Sequence, residues 1–246
     1  MDRLLYIAMN GARETMRAQA VNTQNLANAS TTGFRADLQA FASTPVYGPG
    51  YASRVYGTAA GDGVDFTPGS AIGTGRALDV AVDGKGWIAV QGPDGNEAYT
   101  RAGDLQVDSL GLLRTGAGHP VIGSGSPIAI PPAGKIEIAA DGTISVQPLG
   151  QAATALQVVD RIKLVNPPEG DMVKGEDSLM HMANFQPAVA DSTVTLQTGA
   201  LESSNVNAIE AMVNMIQLAR HYELQVKVMA NAEENDKATA SLMRMG

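Results

Sequence analysis

The side chains of this sequence that could do acid–base or metal chemistry are three histidines, His119, His181 and His221, and a few spaced carboxylates. The histidines fall in separate segments, without the short intervals that bring two imidazoles onto one metal ion. Asp79 with Asp83, and Asp104 with Asp108, have the pairing of a general acid and a general base. Asp83, however, precedes a glycine and Asp104 follows one, and turn formation accounts for such acids without catalysis. Gly116-Ala-Gly118 and Gly123-Ser-Gly125 lack the third glycine and the strand-to-helix setting of a nucleotide loop. Asn28-Ala29-Ser30 matches a glycosylation sequon, and Tyr222 with Glu223 reads as a packing and hydrogen-bonding pair. His221, within the last helical segment, reads as an interface contact. These residues imply no catalytic, cofactor or metal site.

Asparagine forms a less ordinary pattern. Asn22, Asn25 and Asn28 stand three apart in a helical stretch, although the asparagine amide competes with the backbone and weakens helices. A neutral amide both donates and accepts. A ladder of amides can therefore bond a neighbouring helix's backbone without the desolvation cost of a buried charge. On spacing alone, a solvated face explains the ladder equally well.

The elements that carry these residues follow from periodicity. Arg3 to about Ala27 predicts a helix with Leu5, Met9, Ala12, Met16 and Leu26 on one face, and Gln19 and Thr23 in the same stripe. Gly33 is a plausible end signal, with Phe34 packed beside the exit. A second helix is predicted from Asn207 to about Ala240, opened by the Asn207/Glu210 capping pair. It carries Ile209, Met212, Ile216, Ala219, Val226 and Ala230 on one face, with Glu223 interrupting. Between the helices the period changes to two. Leu78, Val80 and Val82 alternate along a strand, and Asp83-Gly84 turns the chain into Trp87–Val90. Further strands are expected near 136–139, 144–146, 156–159, 162–165 and 194–196. Residues 44–75, rich in Gly, Pro and Tyr, are expected to be extended and irregular.

Composition sets the class. The chain has 246 residues, 44 % hydrophobic but only 4 % aromatic, with 27 glycines and 12 prolines, as for short strands and many turns around a Val, Ile, Leu and Ala core. The net charge is −8, divided as +1 over residues 1–40, −7 over 41–199 and −2 over 200–246, so nucleic acid is an unlikely partner. Cysteine is absent, which removes disulfides, zinc–thiolate sites and thiol catalysis. The opening residues are too short an apolar run for a membrane span or secretory signal, so export is expected to remove no leader. Two Ala- and Met-rich helices at opposite ends of the chain would be near energetic balance alone. Ordering costs about 1–2 kcal/mol per residue of backbone, while each large buried side chain returns about 1.5–3 kcal/mol. Both termini therefore read as assembly surfaces that become ordered on packing with neighbours.

Three motifs now carry a resemblance. Asn25-Leu26-Ala27-Asn28 followed by Ser-Thr-Thr-Gly-Phe is similar to the N-terminal signature of the bacterial flagellar rod, hook and hook-associated proteins. LDVAVDGKGWIAVQGPDG and AYTRAGDLQVDSLGLLRTGAGHPVIG resemble that family's central β signature, Tyr99-Thr100-Arg101-Ala102-Gly103 most specifically. LESSNVN, Met215-Ile216 and Arg220-x-Tyr222-Glu223 resemble its C-terminal helix signature. Trp87 stands where the family more often has Phe, and Ala29 where it has Val. The opening Met-Asp-Arg-Leu-Leu-Tyr, the short length and Gln225-x-Lys227 are most like the proximal rod members.

The resemblance implies an α+β structural protein whose N- and C-terminal helices pack together as a discontinuous coiled-coil rod core around a central all-β domain. The expected division is 1–35 with 203–246 as the helical core, 36–77 as an extended arm, and 78–202 as a β-rich outer domain. Expected subunit contacts are Leu5, Met9, Met16, Asn22, Asn25, Leu26, Asn28, Phe34, Asn205, Ile209, Met212, Ile216, Arg220, Tyr222 and Glu223. The implied partners are proximal and distal rod subunits, further copies of the chain, the rod cap and the flagellar type III export apparatus. No cofactor, nucleic acid, small-molecule substrate or membrane embedding is expected. The implied location is the periplasmic rod of the basal body. Alternative readings are a distal rod subunit, a secreted hydrolase on a β scaffold, or a binding module with ordered ends.

Overall fold

The computed structural model describes residues 4–45, 47, 55–148 and 156–245, and divides into two compact units that the chain enters twice or more. The first comprises residues 1–29, 36–65 and 206–246; the second comprises 30–35 and 66–205. The expected boundaries differ from these: residues 30–35, 66–77 and 203–205 lie with the β-rich unit, and 36–65 lies with the helices.

In the helical unit, helix α1 (Leu4–Ala27) packs against helix α2 (Ala208–Met245), which runs five residues past the expected end and spans about 57 Å at 1.5 Å per residue. The pair is antiparallel. Asn22 near the end of α1 donates its amide to the Ala211 carbonyl near the start of α2 (2.8 Å), and Gly11 faces Gln225. The inward row of α1 is Ala8, Ala12, Thr15, Gln19, Asn22 and Leu26, with Ala8 and Ala12 fully buried. That of α2 is Ala211, Met215, Leu218, Gln225, Met229 and Ala232, on the same alternation of fours and threes once Tyr222, 38 % exposed, is counted between Leu218 and Gln225. A Cβ added at Gly11 would sit 3.0 Å from Gln225 Nε2, so the Gln225 side chain packs over the glycine. The short Asn22 side chain reaches the Ala211 backbone, an approach that small and flexible inward side chains permit. The stripes expected from apolar spacing overlap this seam only in part: Ala12, Gln19 and Leu26 lie in it, whereas Met9, Met16, Ile209, Met212 and Ile216 are exposed.

Helix ends are set locally. Asn207 Oδ1 accepts from the amides of Ile209 (3.1 Å) and Glu210 (3.3 Å), capping α2 as the sequence predicts. After α1, the amides of Asn28 and Ala29 bond back to Asn25 and Leu26, and Gly33 then adopts φ +66°, a conformation that glycine enters at little cost.

The stretch expected to be irregular holds strand at residues 44–45, 55–64 and 71–73 and is irregular at 65–70 and 74–75; residues 46 and 48–54 lie outside the described set. Strands β1 (Asp37–Pro45) and β2 (Val55–Val64) form an antiparallel ribbon, in register from Asp37↔Val64 to Pro45↔Val55 with a bulge after Ala40. The glycines that suggested a loop lie on a ribbon supported by α1, where Asn10 donates to the Gly57 carbonyl (2.6 Å).

The β-rich unit is built from antiparallel pairings among its described strands. Its largest sheet has the order Leu164–Val165, Trp87–Gln91, Glu97–Thr100, Met180–Met182, Met172–Lys174. A three-stranded sheet follows the order Gln157–Arg161, Thr143–Pro148, Ala133–Ile138. Two-stranded pairs join Val80–Asp83 to Thr195–Thr198 and Ala71–Gly73 to Ala200–Glu202. Val80, Ile88, Val90, Leu105, Leu113, Val121, Ile128, Ile144 and Val146 close one aliphatic core. Val80, Ala81 and Val82 are buried on both faces, so the alternation that implied a one-sided strand marks an interior one.

Gly103 shows how tightly this unit closes. Its carbonyl accepts from the Val80 amide (2.9 Å), and a Cβ at position 103 would run into the Val80 carbonyl. Gly103→Ala should lower stability by at least about 2 kcal/mol, whereas Gly73→Ala, which meets open space, should cost less than about 1 kcal/mol. Urea titration followed by the fluorescence of Trp87, the chain's one tryptophan, checks both.

Candidate assembly interface and the node behind it

The carboxylate of Glu202 is held between two guanidinium groups in the interior of the β-rich unit. Arg35 Nη2 lies 2.6 Å from Oε1 and Arg101 Nη1 lies 2.9 Å from Oε2, and all three side chains are at most 5 % exposed. The Gly69 amide donates to the same carboxylate (2.9 Å), and the Gly33 amide donates to the Glu202 carbonyl (2.8 Å). Arg101 also donates to the carbonyls of Val82 (3.2 Å) and Gly84 (2.6 Å). Both guanidiniums lie over the ring of Trp87, at 5.7 Å for Arg35 and 5.5 Å for Arg101, and Phe66 meets that ring edge-on. Cation–π attraction and the shared carboxylate thus offset the cost of burying two like charges. Burial pulls the Arg101 guanidinium below its ordinary range, and the charge of Glu202 opposes that pull.

Each partner comes from one of the three sequence motifs: Arg35 follows Thr-Thr-Gly-Phe, Arg101 is the centre of Tyr-Thr-Arg-Ala-Gly, and Glu202 opens Glu-Ser-Ser-Asn. A Cβ at Gly33 would collide with the backbone of Arg101 and Ala102, so the first motif's glycine is required by contact with the second. Phe34 is buried beneath Lys174, whose Nζ is 3.9 Å from the ring centroid and donates to the Arg35 carbonyl (2.8 Å). The Asn205 amide bonds the Phe34 carbonyl (3.3 Å), and its side chain bonds Thr67. The chain enters this unit after α1 and leaves it before α2 through one node.

The asparagine ladder has partners within the chain. Asn25 forms a two-way bond with the backbone of Asp37, Nδ2 to the carbonyl and Oδ1 from the amide, both 2.8 Å. Asn22 bonds Ala211, and Asn28 Nδ2 bonds the Gln24 carbonyl (2.9 Å). With Leu26 half-buried and Phe34 buried, these residues and Asn205 have intramolecular roles. Of the other expected contacts, Met9 and Met16 on α1 and Ile209, Met212, Ile216, Arg220 and Glu223 on α2 are exposed, whereas Leu5 lines a cavity with Ala232, and Tyr222, 38 % exposed, continues the seam row of α2. Val226 of the expected stripe joins the exposed set, as do Val213, Leu224 and Leu242, which were not singled out. Ile209 is 76 % exposed and Leu242 67 %, values unusual for aliphatic side chains of a finished surface.

Two of the acids considered for catalysis, Asp79 and Asp108, serve turns and pairs. Asp79 accepts from Thr74 and Arg76. Asp108 accepts from the Leu110 and Leu112 amides and from Arg114, and the Arg114 hydrogen bond foremost holds its carboxyl below the ordinary range. Among the described residues no three of His, Asp and Glu converge as metal ligands, and no helix is long and apolar enough to cross a membrane.

Comparison with known proteins accounts for all three motifs. Residues 5–35 match the family model for flagella basal body rod proteins, 81–146 the D1 domain of flagellar hook proteins FlgE/F/G, and 197–242 the C-terminal domain of flagellar basal body rod FlgEFG proteins. The flagellar basal-body rod protein FlgF of Escherichia coli (strain K12) is 44 % identical over 251 aligned residues, covering 100 % of both chains. FlgF of Salmonella typhimurium (strain LT2) is 43 % identical over the same extent. FlgG of Buchnera aphidicola subsp. Acyrthosiphon pisum is 33 % identical, over 94 % of this chain and 95 % of its own.

Removing the charge at the node tests its weight. Glu202→Gln leaves two buried guanidiniums facing one neutral amide and should cost about 3–5 kcal/mol. Lys85→Ala breaks an exposed pair with Glu169 and should cost less than about 1 kcal/mol. The shift of the urea midpoint in each variant reads the difference.

Proposed function

This chain belongs to the flagellar basal-body rod protein family, and we propose that it is a structural subunit of the proximal rod, polymerising through its terminal helices into the shaft that carries motor torque to the hook. It is a structural protein rather than an enzyme, as its relatives are rod components. The proximal assignment is favoured over a distal one by the higher identity to FlgF, 44 % against 33 % for the FlgG relative.

The observation that carries the assembly reading is the double-sided character of the helix pair. One row on each helix closes the intramolecular seam, and a second, bulkier set is left facing outward. The alternation of fours and threes along the seam is the spacing of a coiled coil. The outward set, with Met9, Met16, Ile209, Met212, Val213 and Ile216 among it, supplies contacts to further helices. Burying six such side chains returns on the order of 10 kcal/mol before association costs are met, which is enough for assembly between neighbours that touch on several sides.

The partners that follow are further copies of the chain, proximal and distal rod subunits, the rod cap and the type III export apparatus. The location is the basal body, within the periplasmic rod. The helical unit is the rod core. The exposed ribbon residues Leu38, Phe41 and Val55 add contacts beside it.

Deleting the gene should leave basal bodies whose rods stop short of the hook, as seen by electron microscopy, and complete flagella in the deletion strain would overturn the reading. A finer test replaces Met212 and Ile216 with Asp. Both side chains are more than half exposed, so the isolated chain should keep its stability to within about 0.5 kcal/mol per site. In the cell the same double variant should abolish rods and swimming.

A further inference from the structure

We propose that the thioethers of Met9, Met16 and Met212 are oxidation sites in the unassembled chain, and that their sulfoxides bar the chain from the rod. The inference rests on the assembly reading above and adds a chemical control to it. The sequence has no cysteine, so its 11 methionines are its only soft sulfur nucleophiles. Burial sorts them sharply. Met9 is 55 % exposed, Met16 60 % and Met212 53 %, whereas Met172 is 7 % and Met180 2 %. Met9 and Met16 are two turns apart and share a face of α1, and Met212 stands one turn before Ile216 on the outward side of α2.

The reaction needs a two-electron oxidant of the peroxide class. A sulfur lone pair attacks one peroxide oxygen, the O–O bond breaks as the S–O bond forms, and the departing hydroxide takes up a proton and leaves as water. Sulfur is oxidised and peroxide is reduced. The product is a polar, chiral sulfoxide in place of a flexible apolar tip, on a face that must pack dry against neighbours. In the assembled rod the same thioethers are covered, so the modification acts on subunits before they are incorporated.

Two experiments test this. The full-length chain is treated with limiting hydrogen peroxide, digested and mapped by mass spectrometry. Met9, Met16 and Met212 should gain oxygen on the order of tenfold faster than Met172 and Met180, alongside the exposed Met243 as an internal reference. Equal rates at exposed and buried positions would overturn the proposal. In cells, the triple variant M9Q/M16Q/M212Q supplies the polarity without the oxidant, and M9L/M16L/M212L removes the thioethers while keeping the faces apolar. The Gln variant should keep wild-type helix content by circular dichroism, yet yield roughly a tenth or fewer of the wild-type rods, and the Leu variant should yield wild-type numbers. Normal rods from the Gln variant, or equal failure of both variants, would overturn the proposal. Absence of the wild-type chain from purified basal bodies would instead sink the rod reading itself.

Discussion

A single carboxylate joins the chain's separated motifs. Glu202 sits just before α2, Arg35 just after the exit of α1, and Arg101 between two strands of the β-rich unit. Burying three charges costs several kcal/mol per ion, and only close pairing returns it. The node meets this condition with two short ion pairs, backbone donors from Gly33 and Gly69, and the face of Trp87. Such an arrangement tolerates little displacement, since a carboxylate that moved away from either guanidinium would leave an uncompensated charge. The path by which the chain enters and leaves this unit is therefore fixed by electrostatics more than by apolar packing.

The helical unit follows a different rule. Its seam mixes alanine, threonine, asparagine and glutamine with a few larger apolar groups, Leu26, Met215, Leu218 and Met229, that are only partly buried. Asn22 adds a directional bond across the seam. Ile209 and Ile216 are left outside, where they form part of the face proposed above for contacts between subunits.

The family signatures were legible in the sequence, but their physical role was misplaced when read along one helix. The asparagines invite an account in terms of contacts between subunits, yet Asn25 staples Asp37 at the start of the ribbon and Asn28 bonds its own helix. Phe34 and Asn205 likewise belong to the node's surroundings. The helices, the Asp-Gly turns and the Asn207 cap could be found because each depends on residues within one or two turns of chain. The ribbon could not, because Gly57, Gly61 and Gly63 read as loop until a strand from 37–45 and the face of α1 are placed against them.

The sequence by itself determined the element types, the aliphatic β core, the lack of metal-spaced histidines and the membership in a rod family, all of which rest on local pattern or on motif order. Tertiary structure alone decided which helical face is seam and which is surface, since two apolar rows on one helix differ only in what stands opposite them. It also decided that Arg35, Arg101 and Glu202, 66 and 101 positions apart along the chain, share one carboxylate. Attraction between charges falls with their separation in space, and sequence distance carries no measure of that separation.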